Sequence, residues 1–491
     1  MINSVLWTPL AFGLAGLFLP RRLVGPWAVL GAAVTLAIAI GLTIDFDSAE
    51  PGLQQSVDVA WISGLGVSYS LGLDGLNVFL MLLTAVVWLP ATGFAALREQ
   101  ERPHLFFLMM LLGETATLGA FLAQDLLLFV LFFDLMLVPF YFLFGAWGGE
   151  GRVAATTKMI VYTLVGSLLM LVAAIATAIL SADGDLTFSI AELQANVLGE
   201  GSQNWLFWFF AAAFLVKMPA FLLHGWMPDA YRIAPLPALA VFSAVLSKVG
   251  AYGFLRVVLP LFPDATVQFQ EVVLVIALAS ILYGSVMAFT QTNVRLIAGY
   301  SSIAQLGFIT AGIFALRPDA ADGAILQMVN HGLVVAPLFI IIAILAERAG
   351  GEDLREMGGM ALRAPVLAAL FLIVTLATLA MPGSANFIGE FYILNGLFQA
   401  KIVYAVVAST GIVLAAFYSL RLYQRTMHNR KPEGIVSREI SLREGAALVP
   451  LVACILALAL YPQVVLKETD GAAMRAVAAA SEEPTALREL R

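Results

Sequence analysis

The 491 residues are 61% hydrophobic and 12% charged, with a formal net charge of −7 and a mean hydropathy of +0.93. Water-soluble domains carry about twice that charged fraction, and an acidic, apolar chain offers no basic surface for nucleic acid. The one cysteine, Cys454, lies inside an apolar run, which excludes an internal disulfide and a cysteine metal site.

Apolar runs of about 20 residues recur along the chain, each long enough to cross a bilayer as a helix. They are continuous rather than alternating, unlike the strands of a membrane barrel. The sequence therefore reads as an all-α membrane protein of about fourteen transmembrane helices. Their centres fall near residues 10, 33, 85, 113, 135, 168, 214, 247, 280, 305, 334, 380, 413 and 456. The N-terminus, Met1-Ile2-Asn3-Ser4, lacks a positive n-region, and the first apolar run leads on to Arg21-Arg22. It reads as a permanent span rather than a cleaved signal. Residues 45–74 form a polar loop, in which the stretches 57–62 and 67–73, separated by Gly64 and Gly66, predict a short β-hairpin. The tail beyond about residue 468 is alanine-rich and charged. Its composition fits a helix lying on the membrane or on a partner, and fits disorder equally.

Charge alternates between the connecting segments. Of 26 Lys and Arg, 17 fall in one set: Arg21, Arg22; Arg98, Arg102; Arg152, Lys158; Arg232; Arg295; Arg348, Arg355, Arg363; and Arg421, Arg425, Arg430, Lys431, Arg438, Arg443. The opposite set holds Arg256, Arg317 and Lys401, with Lys467, Arg475, Arg488 and Arg491 in the tail. The positive-inside rule puts the first set in the cytoplasm and both termini outside.

Two prolines interrupt apolar runs at matching places, Pro219 after Lys217-Met218 and Pro382 after Ala380-Met381, 163 residues apart. Each frees the carbonyl four residues earlier, on Leu215 or Thr378, and in lipid such groups need partners. The fourth and ninth spans start at about the same offset, near His104 and Gln268. Spans 4–8 and 9–13 thus read as two inverted five-helix repeats, each broken in its fourth helix, the architecture of secondary transporters. The expected divisions are 1–103, 104–260, 261–428 and 429–491.

Charged side chains at bilayer depth are costly and mark ion paths. Five stand out: Asp134, Lys217, Lys248, His331 and Glu390, with Glu114 a weaker candidate. Pro139 loosens the turn beside Asp134. Burial penalises a charged lysine and an adjacent carboxylate restores it, so Lys217 beside Asp134 suits a switch. Ser243, Ser247 and Gly250 leave room for water or hydrogen bonds around Lys248. His331 suits proton relay, and Glu390 lies near the start of a half-helix, where the dipole favours an anion. The plain alternatives are a helix-locking ion pair for Asp134, a snorkelling side chain for Lys217, a structural lysine bonded to those hydroxyls and to carbonyls for Lys248, a neutral histidine donating one hydrogen bond for His331 and a helix-terminal carboxylate for Glu390. His104 and His224 lie at loop edges and read as surface or capping residues rather than chemical ones. His224 with Asp229 lacks the further ligands of a metal site. No phosphate loop, cysteine cluster or haem-type pair is present.

These residues carry a family resemblance. Phe133-Asp134-Leu135-Met136-Leu137-Val138-Pro139, Lys217-Met218-Pro219, His224-Gly225-Trp226-Met227-Pro228-Asp229-Ala230, Tyr300-Ser301-Ser302-Ile303, Asn330-His331-Gly332 and the stretch from Met381 to Phe391 resemble the antiporter-like membrane subunits of respiratory complex I, a bacterial NADH–quinone oxidoreductase. Coverage is roughly residues 60–465. The stretch Phe387-Ile388-Gly389-Glu390-Phe391 is similar to the branch with Glu in the twelfth span, where sister subunits L and N carry Lys. The resemblance implies a proton channel in the membrane arm of a bacterial inner membrane, driven by quinone reduction elsewhere. Its partners would be other membrane-arm subunits, L- and N-like ones among them, and the lipid bilayer. The chain itself would hold no cofactor; flavin, iron–sulfur clusters and quinone would belong to partner subunits. By position Asp134 would be the fifth-span carboxylate, Lys217 the switching lysine, Lys248 the central lysine and Glu390 the terminal residue. This chain departs from the pattern at Asp134 (usually Glu), Tyr231 and Ile233 (His and Glu), Ala304-Gln305-Leu306 (Ser-His-Met) and Asn293 (Asp). Tyr231 and Gln305 resemble the subunits of multi-subunit Na⁺/H⁺ antiporters, so such a subunit, or a non-conducting scaffold subunit, is the alternative function.

Overall fold

The computed structural model describes residues 1–50, 52–429 and 438–480. Arg430 and Lys431 of the basic loops, and Arg488 and Arg491 of the tail, lie outside the described residues. Helix α1 (Ile2–Gly16) turns at Pro20 into α2 (Arg21–Ile44). Strands β1 (Gln54–Ile62) and β2 (Val67–Leu73) then pair antiparallel, Asp58 opposite Ser70 and Ala60 opposite Ser68. This is the expected hairpin, begun earlier, at Gln54. Gly66 closes its turn at φ +65°, a conformation that glycine adopts without steric cost.

The helical bundle follows: α3 (Val78–Ala96), α4 (Pro103–Leu122), α5 (Leu126–Trp147), α6 (Arg152–Ser181), short α7 (Ile190–Ala195), α8 (Glu200–Lys217), short α9 (Met227–Ile233), α10 (Leu236–Leu261), α11 (Pro263–Thr290), α12 (Val294–Phe314), α13 (Pro318–Ala349), α14 (Pro365–Thr378), α15 (Ala385–Ala400), α16 (Ile402–Met427), α17 (Leu442–Leu460) and α18 (Gln463–Ala478). Among the described residues, 11 helices are long and apolar enough to cross a membrane. The other three expected spans fall on shorter or interrupted helices: α1, α8, and α14 with α15. The most apolar windows of α10, α12 and α13 are buried throughout, so these helices form the core. Those of α2, α16 and α17 are only one third buried and form the rim.

Two features of the core were not legible in the sequence. Helix α10 contains two π-helical turns, Phe242–Leu246 and Phe254–Val258. Such turns disrupt the regular backbone ladder and concentrate at functional sites. At one end of α10, Arg256 donates to both carboxylate oxygens of Asp74 at 2.6 Å. Its Nε also donates to the Tyr252 hydroxyl at 2.9 Å, which itself donates to the Phe121 carbonyl at 2.9 Å.

Residues 463–478 of the tail form a docked helix. Helix α18 buries Val465, Leu466, Ala472, Ala473, Ala476 and Val477, and Thr469 donates a hydrogen bond to the buried Asp322 of α13. Gly75 lets it lie close, since a Cβ there would come within 2.5 Å of the Glu468 carbonyl oxygen.

The Arg256–Asp74 pair is about nine-tenths buried on both sides. Removing one member of such a pair costs about 3–5 kcal/mol, because the other charge is left uncompensated. Asp74→Ala is therefore expected to lower the melting temperature of the assembled protein, and Arg256→Met added to it to restore most of the loss. A double variant no more stable than Asp74→Ala would show that the charge pair is not what holds this corner.

Candidate functional site

Four ionisable side chains lie buried on helices that converge in the core. Lys217 ends α8, Lys248 lies in α10, His331 in α13 and Glu390 in α15, with exposures of 5%, 0%, 1% and 2%. Close helix contacts bring them into a row. A Cβ on Gly250 would approach the Phe214 carbonyl oxygen to 2.8 Å, so α8 and α10 meet beside the two lysines. A Cβ on Gly332 would approach the Ala244 carbonyl oxygen to 2.8 Å, so α13 meets α10 beside His331. Lys248 and His331 interact electrostatically across this contact.

Both expected helix breaks are present. Helix α8 stops at Lys217 and α14 at Thr378, each shortly before its proline. Each break is closed by a hydrogen bond spanning five residues, from Ala220 N to the Leu215 carbonyl at 2.9 Å and from Met381 N to the Leu376 carbonyl at 3.1 Å. The carbonyl freed by Pro219 thus has a protein partner. In α5 the regular helix ends at Leu135 and resumes at Leu137, before Pro139.

Asp134 and Lys217 come within electrostatic reach of each other. The ammonium nevertheless lies 4.6 Å from the centre of the Phe133 ring, and its hydrogen bond goes to the Phe133 carbonyl at 3.5 Å. Asp134 Oδ1 is buried without a hydrogen-bond partner. The contact expected between them is open. An aspartate arm is one methylene shorter than glutamate, and the Phe133 ring occupies the space over the ammonium.

Lys248 donates to the Ser243 carbonyl at 2.8 Å and to Ser247 Oγ at 3.4 Å. Ser243 belongs to the first π-turn, and its carbonyl also accepts from Ser247 Oγ at 3.1 Å. The central ammonium is thus held by neutral oxygens. Both ring nitrogens of His331 lack a hydrogen-bond partner, so it has no structural bond that would occupy either. Glu390 Oε1 accepts from Gln305 Nε2 at 2.7 Å, and Gln305 Oε1 accepts from Gln327 Nε2 at 2.8 Å. Gly389 makes room for this chain, since a Cβ there would lie 2.4 Å from Gln327 Oε1. Asn330 Nδ2 donates to the Ala385 carbonyl at 2.7 Å and ties α13 to the start of α15.

Glu114 is fully buried in α4, with neither carboxylate oxygen hydrogen-bonded, and no hydrogen bond joins it to the row. His104 and His224 stay at loop edges: His104 Nε2 bonds the Leu19 carbonyl at 2.8 Å, and His224 packs 4.8 Å from the Tyr283 ring. Among the described residues no group of three His, Cys, Asp or Glu could hold a metal ion. Asn293, one of the departures noted above, caps α12 by accepting from Arg295 N and Leu296 N.

The sequence reading missed Tyr418 of α16. It is buried, its hydroxyl is unpartnered, and it interacts electrostatically with Glu390. With Ser301, Thr375, Thr378 and Ser419 it lines a cavity of about 10 Å³, room for about one water. One tyrosine among apolar residues carried no sequence signal. Gln305 carried one, as a departure, but its partner Gln327 becomes visible only in three dimensions.

A helical membrane bundle with two broken helices and a buried row of titratable groups is the build of an antiporter-like membrane subunit. A family model described as NADH:quinone oxidoreductase/Mrp antiporter, transmembrane, matches residues 123–415, and the chain belongs to this family. NADH-quinone oxidoreductase subunit M of Rhodobacter capsulatus is 37% identical over 451 residues, 89% of this chain and 88% of that protein. The Escherichia coli K12 subunit M is 37% identical over 464 residues, 91% of each. A chain of respiratory complex I from Thermus thermophilus with bound NADH superimposes with a TM-score of 0.91 at 31% identity, covering 98% of this chain and 100% of that one. A chain of the Mrp complex from Dietzia sp. DQ12-45-1b, at 22% identity, shares the fold with a TM-score of 0.84 over 97% of each.

The close approach at Gly332 yields a direct test. Gly332→Ala forces α13 away from α10, and overpacking of this kind costs about 1–3 kcal/mol. Thermal unfolding of the assembled protein is expected to show that loss. Gly93→Ala is the control, because a Cβ at Gly93 meets nothing within 4 Å; equal stability of the two variants would remove the packing argument.

Proposed function

We propose that this chain is a proton-translocating membrane-arm subunit of a complex I-type NADH–quinone oxidoreductase in a bacterial inner membrane. The observation that carries the reading is the buried row of Lys217, Lys248, His331 and Glu390 on mutually packed helices. Its partners are the neighbouring membrane-arm subunits, L- and N-like ones among them. The enzyme's redox groups, flavin, iron–sulfur clusters and quinone, belong to other subunits, and this chain's share of the reaction is proton movement.

In this reading about fourteen spans are divided among an N-terminal segment (residues 1–103), two five-helix repeats of opposite orientation (residues 104–260 and 261–428) and a C-terminal segment (residues 429–491). The paired breaks, each closed by a hydrogen bond spanning five residues, support the repeat. Both termini lie outside and the arginine-rich loops in the cytoplasm, as the charge bias requires. Asp134 is the partner of Lys217, Lys248 the central carrier, His331 the relay and Glu390 the terminal group toward the outer side. Glu114 is an accessory carboxylate. Pro139, Pro219 and Pro382 supply the loosened backbone beside them.

Closing the Asp134–Lys217 contact stabilises the ammonium; opening it releases a proton toward Lys248. His331 has both ring nitrogens free to accept and donate, and Glu390 receives the proton within the Gln305 hydrogen bond. Moving one charge against 100 mV costs about 2.3 kcal/mol. A hundredfold change in proton affinity supplies about 2.7 kcal/mol, enough for one proton.

The fold shared with the Mrp complex chain and the family-atypical Tyr231 and Gln305 favour a second reading, a Na⁺/H⁺ antiporter subunit. Proton pumping by vesicles containing the assembled complex separates the two. Lys217→Ala is expected to reduce pumping by at least about tenfold, or 1.4 kcal/mol of coupling, in sodium-free buffer, with assembly intact. Unchanged pumping would sink the proton-path reading, and a strict sodium requirement in the wild type would replace it by the antiporter one. Gln305→Leu, which removes the hydrogen bond on Glu390, is expected to slow pumping less than Glu390→Gln; the reverse order would remove Gln305 from the path.

A further inference from the structure

A cavity of about 740 Å³ opens where α2 begins, α3 ends and α4 begins. Its size falls within the roughly 300–1,000 Å³ of small-ligand sites. All three helices are long and apolar enough to cross a membrane, so their ends place the cavity at the depth of lipid headgroups. It is lined by the charged Arg21, Arg22, Arg102, Glu99 and Glu101 and by the apolar Ala96, Leu97 and Phe107, of which Phe107 is buried. A fourth arginine, Arg98, is already satisfied by Glu347 and lies over the Phe94 ring. The other three arginines and the two glutamates are exposed, and their side chains make no ion pair among the described residues.

The walls are fixed in advance. His104 Nε2 bonds the Leu19 carbonyl at 2.8 Å, and Trp147 Nε1 donates to the Glu101 carbonyl at 2.5 Å. Arg102 holds φ at +48°, a left-handed conformation that costs a non-glycine residue energy and is kept where the surroundings impose it. Guanidinium groups recognise phosphate through paired N–H donors. A purely anionic headgroup would leave Glu99 and Glu101 facing a like charge. A headgroup with a phosphate and a primary ammonium answers both sets of charges, while the apolar part of the lining suits the glycerol and first methylenes of an acyl chain.

We propose that this cavity is a binding site for an aminophospholipid of the phosphatidylethanolamine type, its phosphate on Arg21, Arg22 and Arg102 and its ammonium on Glu99 and Glu101. The test uses the assembled complex in nanodiscs carrying trace photoactivatable phosphatidylethanolamine, phosphatidylcholine or phosphatidylglycerol, with the label mapped by peptide mass spectrometry. The expected result is phosphatidylethanolamine label on residues 20–26 and 96–107. It should fall by about tenfold, 1.4 kcal/mol of binding, in Arg21→Ala/Arg22→Ala/Arg102→Ala. Glu99→Gln/Glu101→Gln should erase the preference over phosphatidylcholine without abolishing labelling. Equal labelling of the wild-type complex by all three lipids, stronger labelling by phosphatidylglycerol, or none at these peptides would each overturn the proposal. The wild-type comparison decides even if a variant fails to assemble.

Discussion

An ammonium group inside an apolar helical bundle is expensive unless the protein replaces its water, and the core is arranged around that requirement. Lys248 is met by a carbonyl and a hydroxyl, both neutral, rather than by a carboxylate. The first π-turn of α10 makes this possible, because Ser243 lies in it and its carbonyl serves both Ser247 and the lysine. A neutral cradle replaces part of the lost hydration with hydrogen bonds and adds no second charge. A buried carboxylate at hydrogen-bonding distance would stabilise the ion and hold it.

The same logic applies at the two ends of the row. Lys217 rests against an aromatic face and a backbone carbonyl, with Asp134 near enough to be felt and too far to lock it. Glu390 takes its hydrogen bond from an amide that is itself held by a second amide. The proline breaks matter here because they end the regular helix next to Lys217 and ahead of Glu390. They leave short turns in place of a continuous, stiff ladder.

Two tight ties lie away from the row. The Arg256–Asp74 pair and the docking of α18 on α13 through Thr469 and Asp322 join distant stretches of the chain at one end of the bundle. Helix α13 is the common element, since it carries Asp322, Gln327, Asn330 and His331 along 32 residues.

Hydropathy alone determined that this is a helical membrane protein, because apolar length and the cost of burying backbone leave few other solutions. The hairpin, the two breaks and the candidate residues were also legible, since glycine, proline and charge within apolar runs act locally. What the sequence could not decide depended on residues distant in the chain. Tyr418 and Gln327 look ordinary until α15 brings Glu390 beside them. The partner of Arg256 is 182 residues away. No sequence signal marks the π-turns, and the open distance between Asp134 and Lys217 depends on how α5 and α8 settle around the Phe133 ring. Which of the charged residues share a core, and which are already satisfied, was decided by tertiary structure because interhelical contact follows helix faces and close glycine approaches rather than sequence spacing.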